Sequence, residues 1–216
     1  MIDFHTHSIL SDGALIPSEL VRRARVVGYT AMAITDHVDD SNIETVVKQI
    51  KKAARQFNAG SGFRLLPGVE LTHIPPAHIP ALVKKARALG ALIIVGHGET
   101  LAEPVEPGTN MAYIKAGVDI LAHPGLLTEE ECKAAVKKSV HIEVTCRAGH
   151  SISNGHVAAL AKKTGARMLI NTDAHAPGDL VSDERAGKVA LGAGLGIKDF
   201  RRIQDNALEL VKKKLG

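Results

Sequence analysis

Histidine and acidic residues recur in this sequence in pairs whose side chains are common metal ligands. One pair is His5 and His7, and the other, Asp173 and His175, lies near the opposite end of the chain. Side chains at positions i and i+2 of a β-strand point the same way, so each pair can face a shared site. Imidazoles and carboxylates without thiolates suit zinc, manganese or iron better than magnesium or calcium. The two pairs therefore predict a metal site.

Further His, Asp and Glu residues follow short apolar runs between these pairs. They are His37, Glu70, His97 and His123, and Asp12 stands in an Asp-Gly sequence that also suits a plain turn. For any one histidine alone, a hydrogen-bonded core residue is the simpler interpretation. All of these residues together exceed the ligands that one ion uses. We therefore predict two or three divalent ions, with Glu70 as a bridging carboxylate.

The candidate ligands lie at the ends of predicted strands. The strands are predicted at 2–5, 31–35, 64–71, 91–96, 118–122, 140–145 and 167–172, and the helices at 17–27, 42–58, 80–89, 109–116, 128–138, 154–164 and 198–214. Apolar strands that alternate with helices are typical of a parallel sheet, either a closed barrel or a doubly wound sheet. The carboxyl ends of such strands share one edge, so the candidate ligands are expected to converge there.

Composition favours one globular domain over residues 1–216. The chain has 45% apolar and 23% charged residues and a net charge of +4, without an apolar run long enough to span a membrane or a secretory signal pattern. We therefore expect a cytoplasmic protein. Cys132 and Cys146 are too few for a disulfide framework and are expected to be free thiols. The lack of Trp, with two Tyr and four Phe, argues against a nucleic-acid partner.

Six motifs together resemble the PHP family of polymerase-associated and histidinol-phosphatase-like domains. The motifs are HTHSILSDG at 5–13, ITDH at 34–37, GVE at 68–70, GH at 96–97, LAHPG at 121–125 and TDAH at 172–175. The resemblance covers nearly the whole chain and implies a distorted seven-stranded TIM-like (β/α) barrel with a trinuclear metal site that cleaves phosphate esters. It also implies three ligand sets: His5, His7, Glu70 and Asp173; Glu70, His97 and His123; and Asp12, His37 and His175.

A phosphoesterase that hydrolyses a small phosphate monoester fits the ligand set and the resemblance. Two or three divalent ions would lower the pKa of a bridging water to near neutrality, which supplies hydroxide for attack on phosphorus. Arg147, just beyond the sixth predicted strand, can bind phosphate oxygens through two N–H groups. His73, His150 and His156 are predicted at the same edge, where each is a candidate to contact substrate or protonate the leaving alkoxide.

Carboxylates beside the ligands are expected to position them. Asp36 should orient a ligating imidazole, and Glu99 should do the same for His97. The residues predicted to be catalytic are Asp36, Arg147 and His175. Two other histidines, His78 and His141, are interpreted as structural.

Three alternative functions stay open. An amidohydrolase-like enzyme would share the paired histidines, but such enzymes commonly use a carboxylated lysine at a mid-barrel strand end, where this chain has His97. A phosphodiesterase or nuclease would need a basic, aromatic-lined groove, which the composition does not favour. A noncatalytic interaction module of the PHP type would show lost ligands, whereas each motif here keeps a residue that can bind metal.

Overall fold

The strands form one parallel sheet that curls into a barrel in the computed structural model, which describes residues 1–60 and 62–216. The strands are β1 (Ile2–Asp3), β2 (Ala31–Ile34), β3 (His37–Val38), β4 (Arg64–Leu71), β5 (Ile93–His97), β6 (Ile120–Ala122), β7 (His141–Thr145) and β8 (Met168–Asn171). Their order is β1-β2-β4-β5-β6-β7-β8, and β3 pairs with the second half of β4, so β2 and β3 share one position. The predicted α/β fold, a distorted seven-stranded TIM-like barrel in a single domain, is confirmed.

The barrel closes through the segments that follow its first and last strands. Thr6 and Ala174 form a parallel bridge, and the main-chain N–H of His7 donates to the Ala174 carbonyl at 2.8 Å. Nearby, the Phe4 N–H donates to the side-chain oxygen of Asn171 at 3.0 Å. This closure brings the two ends of the sequence, and with them the two predicted ligand pairs, side by side.

The helices cover the outside of the sheet and agree closely with the prediction. They are α1 (Pro17–Val27), α2 (Ile43–Asn58), α3 (Ile79–Leu89), α4 (Thr109–Ala116), α5 (Glu129–Lys138), α6 (Asn154–Thr164), α7 (Asp183–Gly192) and α8 (Ile197–Leu215). The seven predicted helices match to within one residue at each end. Helix α7 is additional, because its two buried alanines give the sequence little apolar periodicity. Among the described residues, no helix is both long and apolar enough to cross a membrane.

Residues at the helix ends account for several boundaries. Helix α1 has Pro17 in its first turn and stops at Gly28, whose φ of 102° is left-handed. Helix α5 begins in a capping box, where the Thr128 hydroxyl accepts from the Glu131 N–H and the Glu131 carboxylate accepts from the Thr128 N–H.

Helix α8 packs against the amino end of the barrel. Alternate residues of the strands form an inner apolar cluster that includes Phe4, Leu66 and Ile93, and Ala207 and Leu210 of α8 belong to the same cluster. The other alternate strand residues pack against the surrounding helices. Apolar side chains fill the barrel interior at its amino end. The polar interior residues are therefore concentrated toward the carboxyl end.

Candidate metal centre

The carboxyl ends of the strands bring all nine predicted metal ligands into one cluster. Its centre is formed by His5, His7, Glu70 and Asp173, whose side chains are at most 3% exposed. His5 Nε2 lies 3.3 Å from Glu70 Oε2, and His7 Nε2 lies 3.2 Å from Asp173 Oδ1. Ligands of a tetrahedral zinc ion with bonds of about 2.1 Å lie about 3.4 Å apart. These separations therefore suit donors that share an ion.

Glu70 also reaches the neighbouring histidines. Its Oε1 lies 3.5 Å from His123 Nε2, and its Oε2 lies 2.8 Å from His37 Nδ1. His97 joins Glu70 and His123 in a second group of donors that lie within 4.8 Å of one another. A carboxylate with imidazoles on both oxygens is suited to bridge two ions, which is the role predicted for Glu70.

A third group lies at the outer edge of the cluster. His175 Nε2 and His37 Nε2 lie 3.2 and 3.5 Å from the two carboxylate oxygens of Asp12. The ring of His7 stacks on those of His37 and His175, with centroid distances of 4.2 and 4.1 Å. His7 therefore belongs by position to this group as well as to the buried centre, a sharing that the sequence did not indicate.

Unpaired buried nitrogen and oxygen atoms make the cluster suited to bind cations. Ten buried side-chain nitrogen and oxygen atoms in the described part of the chain have no hydrogen-bond partner, and eight belong to predicted ligands. These eight atoms are on His5, His7, Glu70, His97, His123 and Asp173. Each unpaired buried polar group costs about 1–3 kcal/mol, so the arrangement calls for a further partner. Nitrogen and oxygen donors fit divalent zinc, manganese or iron.

Burial and opposite charge set the protonation of the cluster. Burial lowers the pKa of His7 to about 3, so its imidazole is neutral at neutral pH. Burial opposes charge on His5 too, but the surrounding carboxylates, Glu70 first among them, outweigh burial and raise the pKa of His5 well above its usual value. Although burial disfavours its charge, the neighbouring imidazoles hold the pKa of Glu70 well below its usual range. The bridging candidate is therefore ionised, as a metal ligand must be.

Three residues beside the cluster have a left-handed backbone that few side chains adopt. The φ angles are 51° at His73, 27° at His123 and 52° at Asp173. Such conformations cost about 1–3 kcal/mol each and persist where the surrounding structure enforces them. Two of the three are predicted ligands, and the other described non-glycine residue with a positive φ, Ser139, is the C-cap of α5.

Glu143, which sequence analysis missed, supports the centre from the barrel interior. Its Oε2 lies 2.8 Å from His5 Nδ1 and accepts from the Asn171 amide at 2.9 Å, and its Oε1 accepts from the His123 main-chain N–H. A carboxylate on one imidazole nitrogen orients the ring and makes the other nitrogen a better ligand. The available signal is the sequence HIEVT, in which a glutamate interrupts an apolar strand.

Asp36 and Glu99, which were predicted to position imidazoles, accept hydrogen bonds from other groups in the structure. Asp36 accepts from the N–H and hydroxyl of Ser8 at 2.6 and 2.7 Å and from the Ser11 hydroxyl at 2.9 Å. It therefore fixes the loop that carries Asp12 instead of orienting an imidazole. Glu99 accepts from two main-chain N–H groups at the N-terminus of α4. Nearby main-chain N–H groups lacking other partners compete successfully for both carboxylates.

Arg147 lies over the outer group, as its predicted role requires. Its Nη1 donates to the main-chain carbonyl of Asp173 at 2.9 Å and lies 2.6 Å from His175 Nδ1, and its Nε lies 3.5 Å from Asp173 Oδ2. The side chain is 34% exposed. A guanidinium anchored by the protein on one side and exposed on the other can bind an anion beside the cluster.

Two of the three predicted substrate histidines reach the cluster. His150 Nε2 lies 3.9 Å from Asp173 Oδ2, and the His73 and His97 rings are 5.0 Å apart. His156 instead lies on α6, where its Nε2 is 2.7 Å from a main-chain carbonyl. Among the described residues His156 makes no ion pair with the cluster, so its predicted contact with substrate is not supported by its position.

The residues interpreted as structural lie apart from the cluster. His78 precedes α3 as its N-cap, and His141 Nδ1 is 3.2 Å from the Asp119 carbonyl at the start of β7. Both cysteines are free, as predicted. Burial raises the pKa of the Cys146 thiol to about 12, so this group is protonated and a poor ligand at neutral pH.

Comparisons with known proteins identify the family and the fold. The sequence model of the PHP domain family matches residues 3–173 of this chain. An uncharacterized protein of Methanocaldococcus jannaschii is 51% identical over 200 residues, which is 92% of each chain. A chain in archaeal ribonuclease P with mature tRNA has a TM-score of 0.73 at 18% identity, with 99% of this chain and 91% of that chain covered. Histidinol phosphate phosphatase from Lactococcus lactis, in complex with zinc, L-histidinol and phosphate, has a TM-score of 0.63 at 15% identity, with 90% and 94% covered.

Proposed function

The chain belongs to the PHP domain family, and we propose that it is a metal-dependent phosphoesterase that hydrolyses a small phosphate monoester. The observation that carries the proposal is the nine-residue cluster, which contains eight buried donor atoms without a hydrogen-bond partner in the described part of the chain. The histidinol phosphate phosphatase of similar fold was solved with zinc, L-histidinol and phosphate. A metal ion, an alcohol and phosphate are the cofactor and the products of the proposed class of reaction.

Two or three ions of zinc, manganese or iron would be bound by the three groups of the cluster: the buried centre, the group of Glu70, His97 and His123, and the outer group around Asp12. When bound, such ions stabilise charge on a phosphate and lower the pKa of water. The protein contributes the orientation of the ligands: Glu143 fixes the His5 ring, and Asp36 fixes the loop of Asp12. This preorganisation favours in-line attack by water without a protein nucleophile.

Arg147 is proposed to bind the substrate phosphate, because its guanidinium is anchored on Asp173 and His175 and is partly exposed. His73 and His150 are proposed to contact the leaving group. Burial and the neighbouring His123 lower the pKa of His150 to about 4, so this ring is neutral at neutral pH and accepts or donates hydrogen bonds without charge. A neutral ring can contact an alcohol leaving group without attracting a second anion.

The charges of the loops at the carboxyl end favour a substrate with a single phosphate. These loops are residues 4–16, 35–42, 72–78, 98–108, 123–128, 146–153 and 172–182. Of the 27 Lys and Arg residues of the chain, Arg147 alone lies in these loops, which carry nine Asp and Glu residues. A polynucleotide is usually bound through several Lys and Arg contacts to its phosphates. A single guanidinium suits one phosphoryl group better.

A nuclease or other phosphodiesterase is the second candidate. It is favoured by the similarity to a chain of ribonuclease P and by the exposed side chains of Lys48, Lys52 and Arg55 along one face of α2. These three side chains make no ion pair within the part of the chain that the structure describes. These cations, however, lie on the outer helix rather than in the loops of the cluster. We therefore rank it below the phosphatase.

An amidohydrolase-like reaction and a noncatalytic role receive less support. The strand end that would carry a modified lysine in the former carries His97. A noncatalytic module would be expected to have lost ligands. All nine positions here hold donors that converge.

The test is to strip the purified protein of metal, restore it with zinc, manganese or iron, and compare three substrates. These are p-nitrophenyl phosphate, bis-p-nitrophenyl phosphate and an oligonucleotide with a 5′-phosphate. We expect metal-restored turnover with the monoester to be the fastest. Preferred cleavage of the diester or oligonucleotide would support the nuclease instead, and metal-independent or absent turnover would contradict both.

A further inference from the structure

A second loop carboxylate, outside the nine predicted ligands, lies at the His97 end of the cluster. The loop between β5 and α4 brings Glu103 Oε2 to 3.1 Å from His97 Nε2 and 3.1 Å from His73 Nε2. Glu103 Oε1 lies 3.5 Å from His150 Nε2. Among the described residues the basic groups that its carboxylate contacts are thus three imidazoles, without a lysine or arginine.

These separations match those between the predicted ligands. The corresponding distances are 3.3 Å for His5 and Glu70 and 3.5 Å for His123 and Glu70. His73, His97 and Glu103 offer donor atoms that all lie within 4.8 Å of one another, as those of the predicted ligand groups do. The distances from the Glu103 carboxylate to its neighbouring imidazoles are therefore those of a predicted ligand.

Asp12 provides an internal comparison on the opposite side of the cluster. Asp12 lies in the loop after β1, is 56% exposed and contacts two imidazoles, and Glu103 lies in the loop after β5, is 37% exposed and contacts three. The family resemblance includes Asp12 among the ligands. The two loop carboxylates thus flank the buried centre in similar ways, although only one of them belongs to the family pattern.

The loop is anchored in a way that holds Glu103 in place. Its first part is fixed by the Thr100 hydroxyl, which lies 2.6 Å from His150 Nδ1, and its end by Glu99, which accepts from the N–H groups of Gly108 and Asn110. The main-chain carbonyl of Glu103 itself accepts from the Val105 N–H at 2.9 Å. Anchors on both sides favour a defined position for the carboxylate over a loosely solvated one.

We propose that Glu103 is a tenth ligand of the metal centre, which binds from the loop side the ion that His97 holds, with His73 beside it. The proposal rests on the metal centre of the proposed function and extends it to a residue of this chain outside the nine. The loop between β5 and α4 would then shield one ion from solvent.

The test compares Glu103→Gln with Glu106→Gln, a matched loss of one exposed carboxylate in the same loop. Metal-free samples are titrated with zinc against a competing chelator, and the visible absorption of bound cobalt is recorded for each variant. We expect Glu103→Gln to bind one ion at least about tenfold more weakly, with an altered cobalt spectrum. Glu106→Gln should match the wild type.

Equal zinc affinities and cobalt spectra for the two variants would overturn the assignment of Glu103 while leaving the metal centre intact. A wild-type protein that binds neither zinc nor cobalt would refute the metal centre and the proposed function with it. Thermal unfolding of the metal-free variants serves as a control for folding, and a second variant, Glu103→Asp, should restore part of the lost affinity because it keeps the carboxylate.

Discussion

Asp119 at the amino end of the barrel and Asp173 at the carboxyl end are both largely buried, yet their surroundings differ. Asp119 contacts Arg87 and Lys214 at 2.6 Å each and accepts from the Ile94 N–H at 2.8 Å. Asp173 is surrounded mainly by imidazoles, has a left-handed backbone, and has an oxygen without a hydrogen-bond partner among the described residues. The protein supplies cationic and N–H partners for the carboxylate of Asp119, whereas it leaves an oxygen of Asp173 without a hydrogen-bond partner among the described residues.

This difference indicates how stability and function are divided between the two ends. Paired charges and the apolar packing of α8 stabilise the amino end. We infer that the unpaired donors and strained backbone at the carboxyl end are the stability cost of the proposed metal centre, a cost that is common at active sites. Substitutions at the two ends should therefore affect different measured quantities.

The largest effect is expected for Asp173→Asn, which keeps the shape of the side chain and tolerates a positive φ. Loss of this carboxylate should lower metal-restored turnover of p-nitrophenyl phosphate by about 10³-fold, because the ions provide several kcal/mol of transition-state stabilisation. The free energy of unfolding of the metal-free protein should not fall. Asp205→Asn on the exposed face of α8 is the control, and equal activity of the two variants would contradict the assignment.

Metal binding should stabilise the protein through the carboxyl end alone. Zinc at 100 times its Kd should add about 2.7 kcal/mol per bound ion to the free energy of unfolding, measured with urea. The gain should be much smaller in Asp173→Asn. A similar gain in that variant would mean that zinc binds elsewhere.

Asp119→Asn should produce the opposite pattern. Loss of the carboxylate leaves Arg87 and Lys214 without their partner and should lower the free energy of unfolding by about 1–3 kcal/mol. Metal-restored turnover should stay within about twofold, since this end of the barrel takes no part in the chemistry. A large loss of activity in a folded Asp119→Asn protein would break the proposed division.

Arg147→Lys separates substrate binding from metal binding within the carboxyl end. Lysine keeps the charge but cannot donate to Asp173 and bind a phosphate with the same planar group, so kcat/KM should fall about tenfold. The zinc affinity should be unchanged. If zinc affinity fell and kcat/KM followed it, Arg147 would belong to the metal centre instead.

Cys132, on helix α5 and away from both ends, gives a baseline for burial alone. Burial raises the pKa of its thiol from 9.0 to about 11, so the unfolded chain loses this proton first and the folded state is penalised as pH rises from about 9 to about 11. The free energy of unfolding should fall by up to about 1 kcal/mol more between pH 8 and pH 10 in the wild type than in Cys132→Ala. Parallel pH profiles would show that the thiol titrates normally.

The convergence of the nine-residue cluster was predictable because one geometric rule governs parallel strands. Parallel strands place their carboxyl ends together, so residues such as His97 and His123, which are distant in sequence from His5, must converge. The apolar strands and Gly-ended helices were also marked by local patterns. Helix α7 was not, because its short buried stripe consists of two alanines.

The supporting residues were harder to predict because their partners depend on loop conformation and on which strand residues face inward. Glu143 and Glu103 contact imidazoles from other strands and loops, and no spacing in the sequence links them to these partners. Asp36 and Glu99 stand next to ligands in sequence, but main-chain and hydroxyl donors are nearer. Position at a strand end therefore indicated the candidate ligands, whereas adjacency to a ligand did not indicate the residues that contact them.

The most direct test of the account is the number of metal ions per chain, measured by elemental analysis of protein purified without chelator and confirmed after restoration with zinc. We predict two or three ions in the wild type and fewer in Glu70→Gln, which removes charge from the carboxylate that links the groups. A folded wild-type protein that binds no ion before or after restoration would contradict the multinuclear centre.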